Sequence, residues 1–282
     1  MDKKLKYGIY IANYGFTRNP KDYVELAQLG EEKGWGGFFL WDHLNPSSTE
    51  VFPVIDPWIT LAAIAVQTDK IRLGTTVTPL ARRRPWKLAR EIVSLDHLSN
   101  GRFTLGVGLG VPSDAEFESF NENSETKVKA EKLDESLDIL RGLWSGKPFS
   151  YKGKHYQIKE VTFQPTPLQN SIPIWVGATW PNKKPFQRAA KYNGVFPLRV
   201  GFEERLKPSE ISDIINYINQ YRSKEEPFDV VFPSYSSSKK EENKWITEYA
   251  EVGCTWFFEC LDPWRGDLEK MKEVVKRGAP TF

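Results

Sequence analysis

The chain has little of what would tie it to several common classes of protein. It has two cysteines in 282 residues, Cys254 and Cys260, and their spacing matches neither a disulfide framework nor a thiolate metal site. Three histidines, His43, His97 and His155, are too few for a histidine-rich metal centre. Basic and acidic residues nearly balance, 39 against 37, which leaves a net charge of +2 and no electrostatic case for a nucleic-acid or membrane partner. The start MDKKLKYGIYI holds an apolar run too short for a signal core, and no later run is long enough to span a bilayer. No repeat period and no linker interrupt the sequence. These absences make a reducing cytoplasm the expected setting and a small molecule the expected partner.

What is present is a sizeable supply of apolar residues, 40% of the chain, and a length near the roughly 250 residues of a (β/α) barrel. The most informative stretch runs from Ile71 to Gly110. Its first part, Ile71 to Val77, carries no charge after Arg72, as a strand covered on both faces would. Pro85 suits the first turn of a helix, and Leu88, Ile92, Val93 and Leu95 then recur at helical spacing. Asn100-Gly101 ends that helix, and Arg102 to Gly108 is a second strand. Strand, helix, strand makes a right-handed parallel crossover.

The same alternation extends in both directions. Leu5–Ala12 and Gly37–Trp41 are strands ahead of that unit, and Asp56-Pro57 opens a helix between them and it. After it, Ser124–Trp144 is a long amphipathic helix, followed by a hairpin over Phe149–Ile158 with a Lys-Gly turn. Strands are then expected at Pro173–Gly177, Gly194–Leu198, Asp229–Pro233 and Thr255–Glu259. Helices are expected over 186–192, 209–221, 240–252 and 267–276. Eight strand signals alternating with helices predict an α/β fold, a TIM-type (β/α)8 barrel. It forms one domain over residues 1–282, with an excursion at 145–172 inserted after strand four.

A parallel barrel works at the C-terminal ends of its strands. Those ends carry Asp42-His43, Thr76-Val77-Thr78, the glycines Gly106, Gly108 and Gly110, Gly177-Ala178-Thr179-Trp180, and Phe196-Pro197. An imidazole titrates near neutrality, so His43 is the candidate for moving a proton, or else it caps a loop. His97 and His155 fall on the long crossover helix and in the hairpin, away from the strand ends. Arg82-Arg83-Arg84 is a solvated turn or a holder of anions. Trp41, Trp180 and Trp264 are core residues or walls of a substrate pocket. An aldolase or sugar-phosphate isomerase would need a lysine or a carboxylate pair at strand ends, and few candidates are at hand, chiefly Glu259 and Asp262.

The strings FFLWDH, IRLGTTVTPLARRRPWKLAREIVSLDHLSNGRFTLGVGLG, AEFESF, LDESLDILRGLWSG, FSYKGKHYQI, IPIWVGATW and CTWFFE, in this order and spacing, resemble the luciferase-like family of flavin-dependent oxidoreductases and monooxygenases. The family includes members that use the deazaflavin coenzyme F-420. The resemblance implies FMN or F-420 lying across the strand ends, contacted by Asp42, by a bulge with a non-prolyl cis peptide at Thr76-Val77, by Thr78, and by Gly106, Gly108 and Gly110. It gives Gly177, Ala178, Thr179 and Trp180 to the phosphate loop, with Lys183, Lys184 and Arg188 supplying charge. His43 becomes the catalytic group, and Asn13, Trp41 and Glu116 face the substrate. No metal is implied, and a homodimer is.

Two departures stand out. Val111-Pro112-Ser113-Asp114 replaces a segment where many relatives carry a Trp or an acidic-Asn pair, and Glu116 is the nearest substitute. The Ala178-Thr179 loop lacks a double glycine, which leans towards FMN, while Asp42-His43 leans towards F-420. The expected activity is hydride transfer or dioxygen activation on a small organic substrate. The alternative is a non-catalytic flavin-binding protein on the same barrel.

Overall fold

The computed structural model describes residues 5–201, 204–223 and 225–281. The first half of the barrel is β1 (Lys6–Ile11), α1 (Pro20–Glu32), β2 (Gly37–Leu40), α2 (Pro57–Gln67), β3 (Arg72–Thr75), β4 (Thr78–Pro79), α3 (Pro85–Leu98) and β5 (Phe103–Gly108). A short α4 (Ser113–Glu116), the long α5 (Thr126–Trp144) and the hairpin β6 (Phe149–Lys152) and β7 (Gln157–Val161) follow. The second half is β8 (Ile174–Trp180), α6 (Lys183–Ala189), β9 (Gly194–Arg199), α7 (Pro208–Ile218), β10 (Asp229–Ser234), α8 (Ile246–Glu251), β11 (Trp256–Leu261) and α9 (Leu268–Lys276).

Nine of these strands form one parallel sheet in the order β3-β2-β1-β11-β10-β9-β8-β5-β4, and pairing of β3 with β5 closes it. β3 and β4 are one barrel strand interrupted at Thr76-Val77, where the peptide is cis, so the barrel has the eight strands expected. Helix starts follow local chemistry. Asp56 accepts the Ile59 N–H at 2.8 Å, with Pro57 in the first turn, and Asp267 accepts that of Lys270 at 3.0 Å. Among the described residues no helix is long and apolar enough to cross a membrane.

Apolar packing occupies two shells because successive strand residues face opposite ways. Phe257 and Leu261 of β11 join Met271 and Val274 of α9 in the shell between strands and helices. Trp256 and Phe258 face the lumen with Phe39, Trp175, Phe196 and Val231. Phe39 stacks on Trp175 at 5.0 Å, and Trp175 meets Trp256 at 5.7 Å. Such rings fit inside eight strands only beside residues without side chains. A Cβ on Gly74 would lie 2.4 Å from the Phe39 ring, and one on Gly194 would lie 2.5 Å from Trp175.

Between α5 and β8, β6 and β7 pair as an antiparallel hairpin. Glu135 of α5 holds it by accepting the backbone N–H groups of Lys154, His155 and Tyr156 at 2.8 to 3.1 Å. His155 reaches Glu131 at 2.8 Å, and His97 reaches the Thr166 carbonyl at 2.8 Å, so both histidines fasten the excursion to its helices. One expected helix differs. Residues 240–252 form a 3-10 turn, Lys240–Asn243, and then the short α8. Asn243 turns its amide to the loop instead, accepting the Ser237 N–H at 2.8 Å and donating to the Ser237 carbonyl at 3.0 Å.

Candidate active site at the C-terminal end of the barrel

β1 and β2 end side by side, and Asn13 locks their loops together. Its amide donates to the carbonyls of His43 and Ile55, each at 2.9 Å, and its oxygen accepts the His43 N–H at 3.1 Å. Expected to face a substrate, Asn13 is fully buried with both amide hydrogens engaged, and it acts as a strut for His43.

From that fixed backbone His43 reaches Glu116, with Nδ1 2.9 Å from Oε1. Glu116 is buried at the end of α4 and also accepts the N–H groups of Leu44 at 3.1 Å and Asn45 at 3.2 Å. Arg82 closes an ion pair with the same carboxylate. It also bonds Asp42 at 2.8 Å, where Arg83 adds a contact at 2.9 Å and the Trp58 indole N–H another at 2.9 Å. Asp42 therefore turns to the helix side, towards Trp58, Arg82 and Arg83. Arg82 and Arg83 are not a solvated turn: Arg82 is shared between two buried carboxylates, Arg83 reaches Asp42 through Nη2, and Arg84 is exposed.

The charges of this network cancel as two carboxylates against two guanidiniums, so a neutral His43 leaves it balanced. Burial and the charge of Arg82 hold the imidazole down to about 4, against the opposing pull of Asp42. Burial works against ionisation of Asp42, yet Arg83, Arg82 and Trp58 bring its carboxyl below the ordinary range. With the Glu116 carboxylate fixing the proton on Nδ1, Nε2 carries the lone pair, and it makes no hydrogen bond among the described residues.

An aromatic wall stands beside His43. Tyr14 packs edge-on to the imidazole at 5.4 Å, and Trp41 lies 5.7 Å from it and 5.0 Å from Tyr10. The buried Trp41 Nε1 and Thr76 Oγ1 have no partner among the described residues. Thr78 does not share that freedom: its hydroxyl donates to Thr75, which donates to the Gly106 carbonyl at 3.1 Å. The glycines of β5 make room for the interrupted strand. A Cβ on Gly106 would lie 2.0 Å from the Thr75 carbonyl oxygen, and one on Gly108 would lie 2.4 Å from a Val77 methyl. A Cβ on Gly177 would meet a Val77 methyl at 3.0 Å, and Gly110 has a φ of +80°.

At the end of β8, Ala178 is buried, and Asn182 ties the turn through Thr179, whose hydroxyl accepts its amide at 3.1 Å. Lys183 lies over the Trp180 ring at 3.8 Å, Arg188 pairs with Asp134 at 2.5 Å, and Lys184 is exposed. Trp264 is 75% exposed. Two surface concavities, of about 390 and 410 Å³, lie elsewhere, and neither is lined by His43 or its partners. Trp58 was not legible as a member of this site, and Arg82 and Arg83 were legible as charge at the strand ends but not as partners of Asp42 and Glu116. Their partners are 16 to 41 residues away in sequence, and an Asp-Arg pairing leaves no local pattern.

A closed parallel barrel with a buried ionised network and a neutral imidazole at its strand ends is of the class that carries chemistry there. The sequence model described as luciferase-like monooxygenase matches residues 8–238, and the chain belongs to that family. It is similar to an F-420-dependent glucose-6-phosphate dehydrogenase of Microbacterium testaceum, 31% identical over 186 residues that cover 63% of this chain and 52% of that protein. It is also similar to the oxygenase component of a flavin-dependent trigonelline monooxygenase of Acinetobacter baylyi, 32% identical over 186 residues, 64% of this chain and 49% of that protein. The chain spans about half the length of the curated relatives it matches. Among solved structures, an F-420-dependent secondary alcohol dehydrogenase bound to an F-420-acetone adduct superposes with a TM-score of 0.80. It is 17% identical and 98% of each chain is covered, a likeness of fold.

Proposed function

We propose that this chain is an oxidoreductase that binds F-420 or FMN across the ends of β3, β5 and β8 and oxidises or reduces a small organic substrate by hydride transfer. The observation that carries the reading is the His43–Glu116 contact, which leaves a neutral imidazole with a free Nε2 at the strand ends. The residues present fit a flat heteroaromatic ring. Thr76 offers an unpartnered buried hydroxyl, Val77 a methyl surface between Gly108 and Gly177, and Trp41 an unpartnered indole N–H. Thr76, Val77 and the backbone at Gly108 and Gly110 would hold the ring, and the turn from Gly177 to Trp180 the phosphate end. When bound, such a group supplies a two-electron acceptor or donor of hydride.

An alcohol that loses hydride must also lose its hydroxyl proton. Nε2 of His43 takes that proton, and Glu116 stabilises the imidazolium as it forms, in the manner of a base oriented by a carboxylate. In the reducing direction the same atom returns the proton to the new alkoxide. Asn13, Arg82 and Asp42 position these groups, and the ring faces of Tyr14 and Trp41 keep water from the reacting carbon. This proton path favours dehydrogenation or reduction over dioxygen activation, which needs no base on the substrate. Two results would sink the reading: no rise in melting temperature with either FMN or F-420, or turnover of alcohols that survives His43→Ala with cofactor affinity intact.

A further inference from the structure

Four buried carboxylates lie at or near the strand ends: Asp42 after β2, Glu116 at the end of α4, Glu259 within β11 and Asp262 just after it. Asp42 and Glu116 pair with Arg82, and Glu259 pairs with Arg265. Asp262, 3% exposed, has no cation within salt-bridge distance among the described residues. One of its oxygens accepts the Arg265 backbone N–H at 3.2 Å and the other accepts the Tyr235 hydroxyl. The Arg265 guanidinium bonds Glu259, the Cys260 carbonyl at 2.7 Å and the Ser236 carbonyl at 3.3 Å, and it lies over the Tyr235 ring at 5.3 Å without reaching the Asp262 carboxylate. A buried carboxylate without a counter-ion is costly, and proteins rarely keep one unless something else completes the pair.

The surroundings of Asp262 indicate what completes it. Asp262 is the first residue past β11, and counting by two from Trp256, Phe258 and Cys260 carries it to the lumen side. β11 pairs with β1, which brings Asp262 next to the end that carries Tyr10 and Tyr14, and Tyr235 comes from the end of β10 on the other side. Tyr10 and Tyr14 make no hydrogen bond through their hydroxyls among the described residues, and both rings join the wall formed with Trp41 and His43. A carboxylate set among aromatic faces is the chemistry that holds alkylammonium ions, by charge and by attraction of the cation to the rings.

We propose that Asp262, held by the Tyr235 hydroxyl and flanked by the rings of Tyr14 and Tyr10, forms a subsite for a cationic, alkylammonium-bearing part of the substrate, two strand ends away from His43 with β1 between them. Calling the bound molecule a substrate rests on the redox reading above, whereas the cation subsite itself does not. Arginines neutralise the other carboxylates, so selectivity for positive charge falls to Asp262. The bulge and glycines of β3, β5 and β8, across the barrel, remain clear for the ring system.

The test compares choline with dimethylbutanol, its uncharged isostere with carbon in place of nitrogen, by titration calorimetry on the full chain. Choline should bind about tenfold more tightly or better. Asp262→Asn, of the same size, should bring the ratio close to one while the protein still melts cooperatively. Asp262→Glu should keep part of the preference. If Asp262→Asn does not fold, Tyr14→Leu removes a ring face without touching the charge, and the ratio should fall severalfold. Equal affinities in the unmodified protein overturn the proposal, as does a preference that survives in folded Asp262→Asn. Binding is read without turnover, so a protein inactive on every alcohol but selective for choline overturns the redox reading alone. An enzyme active on neutral alcohols with no preference for charge overturns the subsite alone.

Discussion

Nδ1 of His43 and Oε1 of Glu116 meet at 2.9 Å across 73 residues of sequence, and the same carboxylate neutralises Arg82. Glu116→Gln keeps the volume but offers an amide N–H to Nδ1, which moves the imidazole proton to Nε2, and it leaves Arg82 short of a counter-charge. Turnover should fall by about 10² to 10⁴, with the affinity for FMN or F-420 within about threefold of the parent. A variant with full kcat would remove Glu116 from the proton path.

The His43 imidazole sits at about 4, below the 6.5 of an unconstrained histidine. Because the folded value is depressed, the unfolded chain takes up this proton first as pH falls. The associated stability is complete above about pH 6.5 and is lost as pH drops towards 4. Melting temperature should therefore decline over that window more steeply in the parent than in His43→Gln. The acid limb of kcat/KM should fall below pH 6; a limb centred near 6.5 would contradict the charge balance around the ring.

Asp42 has two arginines and one indole N–H on its carboxylate, all with little access to water. Asp42→Asn should cost about 3–5 kcal/mol, the usual consequence of breaking a buried ion pair. That corresponds to a fall in Tm of about 10 °C for a chain of this size. Trp58→Phe removes one donor and should cost only about 1–3 kcal/mol. Denaturant melts of the two variants give the comparison, and equal losses would mean that the charges are better solvated than their burial implies.

Gly106 and Gly108 should respond differently to a methyl group. At Gly108 the neighbour is the Val77 side chain, so Gly108→Ala should weaken cofactor binding by about tenfold, and adding Val77→Ala should restore it. At Gly106 the neighbour is the Thr75 carbonyl oxygen, and no side-chain change can relieve that contact. Gly106→Ala should lower Tm whether or not Val77 is trimmed. Titrations and melts of the four proteins separate the two effects.

Much of the barrel was legible because its signals are local. The Pro57 and Pro85 helix starts, the Asp56 cap and the alternation of strands with helices each lie within a few residues of the element they define. Residues 240–252 are not one helix because the Asn243 side chain competes with the backbone, and the competing partner, Ser237, lies outside the apolar period. The site was legible as positions and much less as roles. His43 stands at its strand end, but Asn13 and Asp42 turned to protein partners. The run at 82–84 reads as solvated charge until Asp42 and Glu116 are brought against it. An ion pair between strand ends is a property of barrel closure, and closure joins β3 to β5 and β11 to β1 over distances that no window on the sequence contains.

The lumen has an optical consequence as well as a steric one. Trp175 and Trp256 lie 5.7 Å apart in an apolar shell, and their buried indole N–H groups have no partner among the described residues. Indoles so shielded emit towards the blue, and Tyr10 and Trp41 continue the line of rings up to the mouth. Excitation absorbed deep in the barrel can therefore pass to any near-ultraviolet chromophore seated at the strand ends. The emission of the unlabelled protein thus reports on occupancy of its own mouth.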